Sequence, residues 1–282
     1  MTKHDIHAVR FQHPAGEGAL AQVVRLSELR ARQIPDFYRP QRRDFHVIHV
    51  VTEGAGRHHL EFEPVDLGRG SLLYVAKGQV DWYDEASDHD AFLLIFRPEA
   101  IQRAHLAPSL VSSPLRPNGP EFQRLVELVT LIDQFQRLPH LRSATLHLLE
   151  GFVDALGVLR SQATSALHPA SRNEHCERFE TLIENHCHEE RSVTWYAERA
   201  NVSAKTLTRA SESVFGCSAK QHIDESVVLR AKRLLVHTSA TVDEVAHRMG
   251  FSEPTNFVKF FRRLESCTPN AFRERFDVQD LV

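Results

Sequence analysis

The chain has 282 residues, of which 42% are hydrophobic and 25% are charged, and its formal net charge is −3. This length favours two domains, and the composition is that of an ordinary globular protein with a buried core. The sequence contains no run of about 18 apolar residues, which excludes a membrane-spanning helix, and its N-terminus lacks the apolar segment of a secretory signal. We therefore expect a cytoplasmic protein whose four cysteines are reduced.

Residues 1–115 show the pattern of short β-strands separated by glycine turns. The segments DFHVIHVVTEG (44–54) and AFLLIFRP (91–98) each predict one strand, and the segment 57–80 predicts several more. Short strands that alternate with glycine turns are typical of a β-barrel or a β-sandwich.

Two amphipathic helices are predicted next, over 121–135 and 141–159, because apolar residues recur there at helical spacing. These helices can pack on each other, on their own barrel or on a second subunit, so a homodimer through residues 121–159 is one expectation. The polar segment 161–173 contains a proline and is interpreted as a linker. The predicted domains are therefore 1–160 and 174–282.

From residue 174 onward the sequence predicts about seven helices and one internal repeat. Tyr196-Ala197 precedes Ser203 by the same spacing as Val245-Ala246 precedes Ser252, and the offset between the copies is 49 residues. Such repetition indicates a duplicated supersecondary unit. Each copy gives a short helix, a tight turn and a second helix, which is the helix-turn-helix arrangement. A long helix over 218–238 joins the copies and would present them to successive major grooves, ~34 Å apart.

The second helix of each copy carries a short polar and basic stripe, as expected of a helix that enters the major groove of DNA. We assign Arg209 and Lys259 to guanine edges and Arg262 and Arg263 to phosphates. Glu253 either accepts from a cytosine amine or complements the helix N-terminus. Ser203 and Ser252 are predicted as N-caps. The predicted DNA-binding set is Ser203, Lys205, Thr208, Arg209, Ser252, Glu253, Thr255, Lys259, Arg262 and Arg263.

The charge balance of the C-terminal domain argues mildly against DNA binding, because residues 171–282 carry 16 Lys and Arg residues against 17 Asp and Glu residues. DNA binding must therefore depend on local charge rather than on a basic domain. A plain helical hairpin is the alternative for one such unit, but two copies with matching caps and basic stripes favour the DNA-binding interpretation.

About 100 C-terminal residues resemble the AraC/XylS family of bacterial transcription regulators. The stretch VLRAKRLLVHTSATVDEVAHRMGFSEPTNFVKFFRRLESCTPNAFR carries the resemblance, and the matching positions are Val245-Ala246, Gly250-Phe251, Phe257, Phe261, Thr268-Pro269 and Phe272-Arg273. The family usually has a glycine where Ser266 stands, and a positive φ there would strain a serine. The resemblance implies a non-enzymatic, DNA-binding regulator, here predicted to be an activator, that acts on promoter DNA together with RNA polymerase.

The N-terminal half resembles the family's sensor domain, a small cupin-like β-barrel that binds a small-molecule effector. The stretches DFHVIHVVTEGAG, LGRGSLLYVAKGQVDWY and FRPE carry this resemblance. The fold class is thus α+β, with a cupin-like barrel and following helices, then an all-α domain of two helix-turn-helix units joined by a linker helix. Asp81 stands where a histidine is usual, so we predict no metal or other cofactor.

Four residues are assigned to the effector: Arg39, His46, Trp82 and Tyr83. Arg39 would clamp a carboxylate or hydroxyl groups, and the two aromatic rings would stack on a ring or sugar face. The accompanying hypothesis is that the effector is an acid. The structural alternative is that the aromatic side chains pack in the barrel and that Arg39 is a surface charge.

No catalytic residue is predicted, because the common phosphate-binding, hydrolase and zinc-protease motifs do not occur in the sequence. His186, Cys187 and His188 lack the spacing of metal ligands on a helix. Two other functions stay open, namely a constitutive or partner-controlled DNA-binding regulator without an effector, and a metal-dependent cupin enzyme with a helical tail.

Overall fold

The structure is a computed structural model that describes residues 7–12, 19–101, 114–167 and 174–276. The described residues form two compact units, 7–162 and 163–276. Among these residues, none of the helices combines the length and the apolar character that crossing a membrane requires.

The N-terminal unit consists of β-strands followed by two long helices. Its described strands are β1 His7–Val9, β2 Ala21–Arg25, β3 Gln41–Arg43, β4 His46–Glu53, β5 Ala55–Leu60, β6 Glu63–Gly68, β7 Leu72–Val75, β8 Val80–Tyr83 and β9 Asp90–Phe96. Its α-helices are α1 Leu26–Ala31, α2 Gly119–Gln136 and α3 Arg142–Leu167. The strands predicted at 44–54 and 91–98 are β4 and β9, and the short helix α1 was not predicted.

The strands form two sheets, one with the order β1-β3-β8-β5-β6 and one with the order β2-β9-β4-β7. All neighbours pair antiparallel except β1 and β3, which are parallel. Apolar side chains of both sheets belong to one hydrophobic core, for example Ile48 and Leu93 from one sheet and Leu60 and Leu67 from the other. The predicted β-rich domain is confirmed at this level.

Helices α2 and α3 add to the core of their own unit. Val129 and Phe152 are fully buried in the same cluster as the sheet residues. The Gln136 side chain accepts from the Val23 backbone N–H at 2.7 Å and donates to the Val23 carbonyl at 2.7 Å, which fixes α2 along β2. Of the alternatives left open by the sequence, packing on the sheets is therefore realised.

Helix α3 continues to Leu167, so residues 161–167 are helical rather than part of an irregular linker. The rest of the predicted linker, 168–173, lies outside the described residues. A helix can extend here because the sequence SQATSAL holds neither glycine nor proline before Pro169.

The C-terminal unit contains seven helices within residues 174–276, the number that the sequence predicts. They are α4 Glu174–His186, α5 Val193–Arg199, α6 Ala204–Phe215, α7 Ala219–His237, α8 Val242–Arg248, α9 Pro254–Glu265 and α10 Pro269–Phe276. Helix α7 lies at the centre and contacts α4, α6, α8, α9 and α10. Its residues Val227, Ala231 and Leu235 are buried, as their helical spacing predicts.

Candidate nucleic-acid interface and ligand cavity

The first helix-turn-helix unit is formed by α5 and α6. Ala197 of α5 and Leu207 of α6 are buried where the helices approach each other. The Ser203 hydroxyl accepts a hydrogen bond from the backbone N–H of Thr206 at 3.1 Å, so the predicted N-cap of α6 is confirmed. Helix α6 ends at Gly216, whose φ of +72° is the left-handed conformation that favours glycine.

The second unit is formed by α8 and α9. A capping box of Thr241 and Glu244 starts α8, and Ala246 is fully buried. Gly250 has a φ of +72° in the turn, as its sequence position predicts. The expectation that Ser252 caps α9 is wrong, because the N-cap residue is Glu253, which makes no side-chain cap hydrogen bond. Pro254 follows at the first helical position, where proline presets φ and leaves one N–H fewer to satisfy.

Exposed basic side chains form one face on each second helix. On α6, Lys205 and Arg209 are four residues apart, and on α9, Lys259 and Arg262 are three apart. All four are exposed, and none of the four side chains makes an ion pair or hydrogen bond with any other residue that the structure describes. Their charges are therefore available to a polyanion.

The other predicted contact residues differ in their surroundings. Thr255 is exposed beside the basic face of α9, and Thr208 on α6 is half-buried. Asn256 is also exposed and lies one turn before Lys259, but it was not among the residues predicted from the sequence. Its spacing from Lys259 was the available signal, and an Asn amide at such a position suits an adenine edge.

Arg263 differs from its neighbour Arg262 because it has a partner within the fold. Its Nη2 donates to Oδ2 of Asp224 at 3.1 Å, and its guanidinium lies 5.5 Å from the centre of the Phe260 ring. Lys220 donates to the other oxygen of Asp224 at 2.7 Å. Arg263 thus braces α9 on α7, a role that the sequence did not indicate.

The segment between α4 and α5, which precedes the first unit, contacts the turn of the second unit. Arg191, between α4 and α5, donates through Nη2 to the carbonyl oxygen of Met249. Its guanidinium also lies 3.5 Å from the centre of the Phe251 ring, within the range of a cation–π contact. This one side chain therefore couples the segment before the first unit to the turn of the second.

The N-terminal unit contains a cavity of about 220 Å³ bordered by strands of both sheets. Its lining is Val9, Arg10, Phe11, Gln12, Gln22, Leu29, Arg32, Ile34, Pro35, Phe37, Gln41, Arg43, Phe45, Val47, Tyr83, Leu93 and Ile95. Most of these side chains are apolar, three are arginines and none is acidic. An apolar cavity of ~150 Å³ accepts benzene, so this one is large enough for a substituted ring.

The buried amide and guanidinium groups of the lining come from β3, whose alternation turns Gln41 and Arg43 inward and Arg42 outward. Arg43 is ion-paired with the fully buried Asp81 and donates to Oε1 of Gln41 at 3.3 Å. His58 Nε2 lies 3.0 Å from Oδ2 of Asp81. Asp81, which stands where the sequence comparison led us to expect a histidine, thus serves as the buried counter-ion of Arg43.

Burial also determines the ionisation of the neighbouring groups. Burial lowers the pKa of His58 well below its ordinary value, and it raises the pKa of Tyr83 to about 12 against the opposing charge of Arg43. Both groups are therefore neutral at pH 7, and the Tyr83 hydroxyl remains able to donate.

Of the four residues that the sequence assigned to an effector, Tyr83 alone is in the lining. Trp82 points to the other face of β8, where its ring stacks on His59 with centroids 4.5 Å apart. His46 Nδ1 lies 2.8 Å from the Tyr74 hydroxyl, and burial lowers the pKa of His46 to about 4. Arg39 is half-buried and pairs with Asp36 at 3.5 Å. The predicted cluster is therefore not brought together.

Two family models match the chain. One, described as an AraC-like ligand binding domain, matches residues 26–175, which is more than half of the chain, and the other, described as a helix-turn-helix domain, matches residues 196–275. The first covers the unit with the cavity from α1 onward, and the second covers both helix-turn-helix units except the first three residues of α5.

Similar proteins include the HTH-type transcriptional activator RhaS of Enterobacter sp. (strain 638), with 25% identity over 96% of this chain and 98% of the relative. RhaS of Escherichia coli (strain SE11) is 26% identical with the same coverage. Among solved structures, the DNA-binding domain of AdpA in complex with a target DNA is 33% identical over 38% of this chain and 96% of that chain, with a TM-score of 0.35. Apo ToxT K231A from Vibrio cholerae strain SCE256 covers 90% of this chain and 96% of its own, with 12% identity and a TM-score of 0.41.

Proposed function

Because the chain belongs to the AraC family of transcription regulators, we propose that it is an activator whose helices α6 and α9 read DNA under the control of an effector. The observation that carries this proposal is the pair of helix-turn-helix units that share α7, each with an exposed basic face. Helix α7 has 19 residues, a length of ~28 Å, which suits the spacing of successive major grooves.

In this proposal, Arg209 of α6 and Lys259 of α9 each recognise a guanine, and Asn256 recognises an adenine. Each such contact is worth ~1–3 kcal/mol of discrimination between bases. Ser203, Lys205, Thr208, Ser252, Glu253 and Thr255 lie at or near the starts of the same helices and contact neighbouring bases or phosphates.

Selection from a random duplex library tests this proposal. We expect the wild type to enrich two short motifs about one helical turn apart, ~10.5 base pairs. Arg209→Ala should relax one motif and Lys259→Ala the other. Arg178→Ala, which removes an equal charge from the exposed face of α4, is the matched control and should leave both motifs intact. Enrichment of one motif, or motifs unchanged by both helix variants, would contradict the proposal.

The effector that the cavity fits best is a small organic acid with an apolar body. Apolar side chains surround most of the space, and the charged lining groups are Arg10, Arg32 and Arg43, of which Arg43 alone is neutralised by a buried carboxylate. A carboxylate bound there would gain a charge-assisted hydrogen bond from Arg43 or Arg32, while its ring or chain displaces water from apolar walls. The effector class predicted from the sequence, an acid, is retained. In this proposal its carboxylate is recognised by Arg43 of β3 and by Arg32 after α1 rather than by Arg39.

A thermal-shift panel tests the effector class with benzoate and hexanoate as acids, and with benzyl alcohol and L-arabinose as neutral probes. We expect the acids alone to raise the melting temperature of the full chain. A response to the neutral probes would reject the acid, and no response to any probe would favour the constitutive regulator that the sequence left open.

The proposal extends to partners and location. Leu131 and Leu138 in and just after α2, and Val158 on α3, are large apolar side chains that stay exposed although the other face of each helix is buried. We assign a homodimer contact to this surface within residues 121–159, with promoter DNA and RNA polymerase as further partners in the cytoplasm. The functional boundaries are 1–160 for sensing and 174–282 for DNA binding.

Equilibrium sedimentation of the wild type and of Leu138→Glu/Val158→Glu tests the dimer, which the double variant should dissociate.

A further inference from the structure

A second site lies in the C-terminal unit, where Cys217, His222 and Glu225 converge. The Cys217 thiol, a ring nitrogen of His222 and a carboxylate oxygen of Glu225 all lie within 4.8 Å of one another. Cys217 follows the glycine that ends α6, and His222 and Glu225 are three residues apart on one face of α7. Sulfur, imidazole nitrogen and carboxylate oxygen together are the ligand set that zinc accepts.

A buried carboxylate on the neighbouring helix points to the same site. Oε1 of Glu180, on α4, is 3.7 Å from Nε2 of His222, and it has no hydrogen-bond partner among the described residues. Glu180 is 4% exposed, so this oxygen is withdrawn from water without compensation. A carboxylate that faces the imidazole of a metal-binding histidine is the usual way to orient the ring. A metal on His222 would give Glu180 that role, or Glu180 would complete the coordination.

We propose that Cys217, His222 and Glu225 bind a thiophilic divalent cation of the zinc class. Tetrahedral coordination requires neighbouring ligand atoms to be ~3.3–3.7 Å apart, so side-chain adjustments of about 1 Å close the present arrangement. Glu225 accepts from Gln221 through Oε1 at 2.8 Å, which leaves its second oxygen for the metal. Thiolate and imidazole ligands select this class of cation over Mg²⁺ and Ca²⁺.

The repeat supplies an internal comparison. Cys267 lies at the corresponding turn of the second unit, 50 residues after Cys217, but Phe272 and Arg275 stand where the first unit has His222 and Glu225. The second turn therefore has a thiol without the other two ligands. A bound cation would link the end of α6 to the start of α7 in the first unit alone. Any effect of the cation on DNA binding rests on the proposed function of α6.

The test is a Co²⁺ titration of the reduced full chain, because thiolate ligation of Co²⁺ gives a charge-transfer absorption that does not depend on DNA. We expect one Co²⁺ per chain with this signature, and displacement by Zn²⁺. Cys217→Ser should abolish the signature, and Cys267→Ser should retain it. Glu180→Gln should weaken binding by about 10–100-fold if it orients His222. Retention of the signature in Cys217→Ser, or no saturable uptake by the wild type, would overturn the proposal.

A separate measurement addresses the consequence for DNA. Anisotropy with the selected duplex should show tighter binding with Zn²⁺ than with EDTA for the wild type and for Cys267→Ser, but no difference for Cys217→Ser. Uptake of Co²⁺ without any effect of Zn²⁺ on DNA binding would keep the metal site and reject its link to α6. Failure of DNA binding itself would leave the spectroscopic result standing.

Discussion

Gly250 and the carbonyl oxygen of His188 approach each other so closely that a side chain on residue 250 has no room. A Cβ atom built on Gly250 would lie 2.4 Å from that oxygen, which belongs to the backbone of the segment between α4 and α5. Gly216 has the same φ of +72°, yet a Cβ atom there would meet nothing within 4 Å. Two glycines with one backbone conformation thus differ in the space around them.

We therefore expect Gly250→Ala to destabilise the protein far more than Gly216→Ala. A left-handed alanine costs ~1–2 kcal/mol at either position, and the clash with an immobile carbonyl adds to this at residue 250. Urea unfolding should show a loss of ~1 kcal/mol for Gly216→Ala and ~3 kcal/mol or more for Gly250→Ala. Equal losses would mean that the segment around His188 moves away at little cost.

Ser266 at the end of α9 also adopts a left-handed conformation, with a φ of +57°. A serine is strained there, as expected from the glycine that the family usually has at this position, so Ser266→Gly should stabilise the protein by ~0.5–1 kcal/mol. The reciprocal change Gly216→Ser in the first unit should destabilise it by a similar amount. Thermal unfolding of both variants measures the two effects, and a loss of stability in Ser266→Gly would contradict the expectation.

Arg262 and Arg263 should behave differently although they are neighbours on α9. Arg262→Ala should weaken DNA binding for all sequences and reduce the slope of log K against log salt by ~0.9, because it removes one phosphate contact. Arg263→Ala should instead lower the melting temperature of the free protein, since Arg263 is paired with Asp224. Anisotropy at several salt concentrations, together with thermal scans without DNA, separates these outcomes.

The N-terminal unit should lose stability as the pH falls below about 6.5. Burial lowers the pKa of His49 well below its ordinary value of about 6.5, so on acidification the unfolded chain takes up a proton that the folded chain does not bind. The free energy of unfolding is therefore fully retained above pH ~6.5 and falls on acidification below that pH. One histidine contributes a slope of up to ~1.4 kcal/mol per pH unit. Unfolding of His49→Gln between pH 7 and pH 5 should show a shallower slope. His147→Gln, on an exposed position of α3, should retain the wild-type slope.

Arg32 should contribute to recognition of an acid, whereas Arg39 should not. Arg32 lines the cavity and Arg39 pairs with Asp36 outside it, and both side chains are solvent-accessible enough to replace without unfolding. We expect Arg32→Gln to weaken benzoate binding by about tenfold, the equivalent of one charge-assisted hydrogen bond. Calorimetry on both variants measures this, and an equal loss in Arg39→Gln would restore the assignment made from the sequence.

The helical half of the molecule could be predicted well from its sequence because local signals determine it. Phe257 and Phe261 recur at helical spacing and are fully buried, and Gly250 occupies the turn that needs a positive φ. The N-cap of α9 was predicted at Ser252 but lies at Glu253. Serine is a favoured N-cap residue, whereas Pro254 favours the first helical position and so places the cap one residue later. The helix α1 was missed because six residues hold little periodicity.

The cavity was harder to predict because its geometry depends on strand pairing. Trp82 and Tyr83 are adjacent on β8, so alternation allows one of them to face inward, but it does not say which. The pairing of β8 with β3 and β5 decides this in favour of Tyr83. Likewise, Arg43 becomes an interior group because it forms an ion pair with Asp81 of the neighbouring strand β8, 38 positions away in the sequence.

Because α7 packs against both helix-turn-helix units, it limits how the domain can change during evolution. Its buried residues Val227, Ala231 and Leu235 serve both helix-turn-helix units, and Arg191 additionally joins the segment before the first unit to the turn of the second. Neither repeat thus has a complete interior of its own, so neither is a module that recombination can delete or transplant alone. A mutation that unfolds one unit is therefore expected to unfold the other as well.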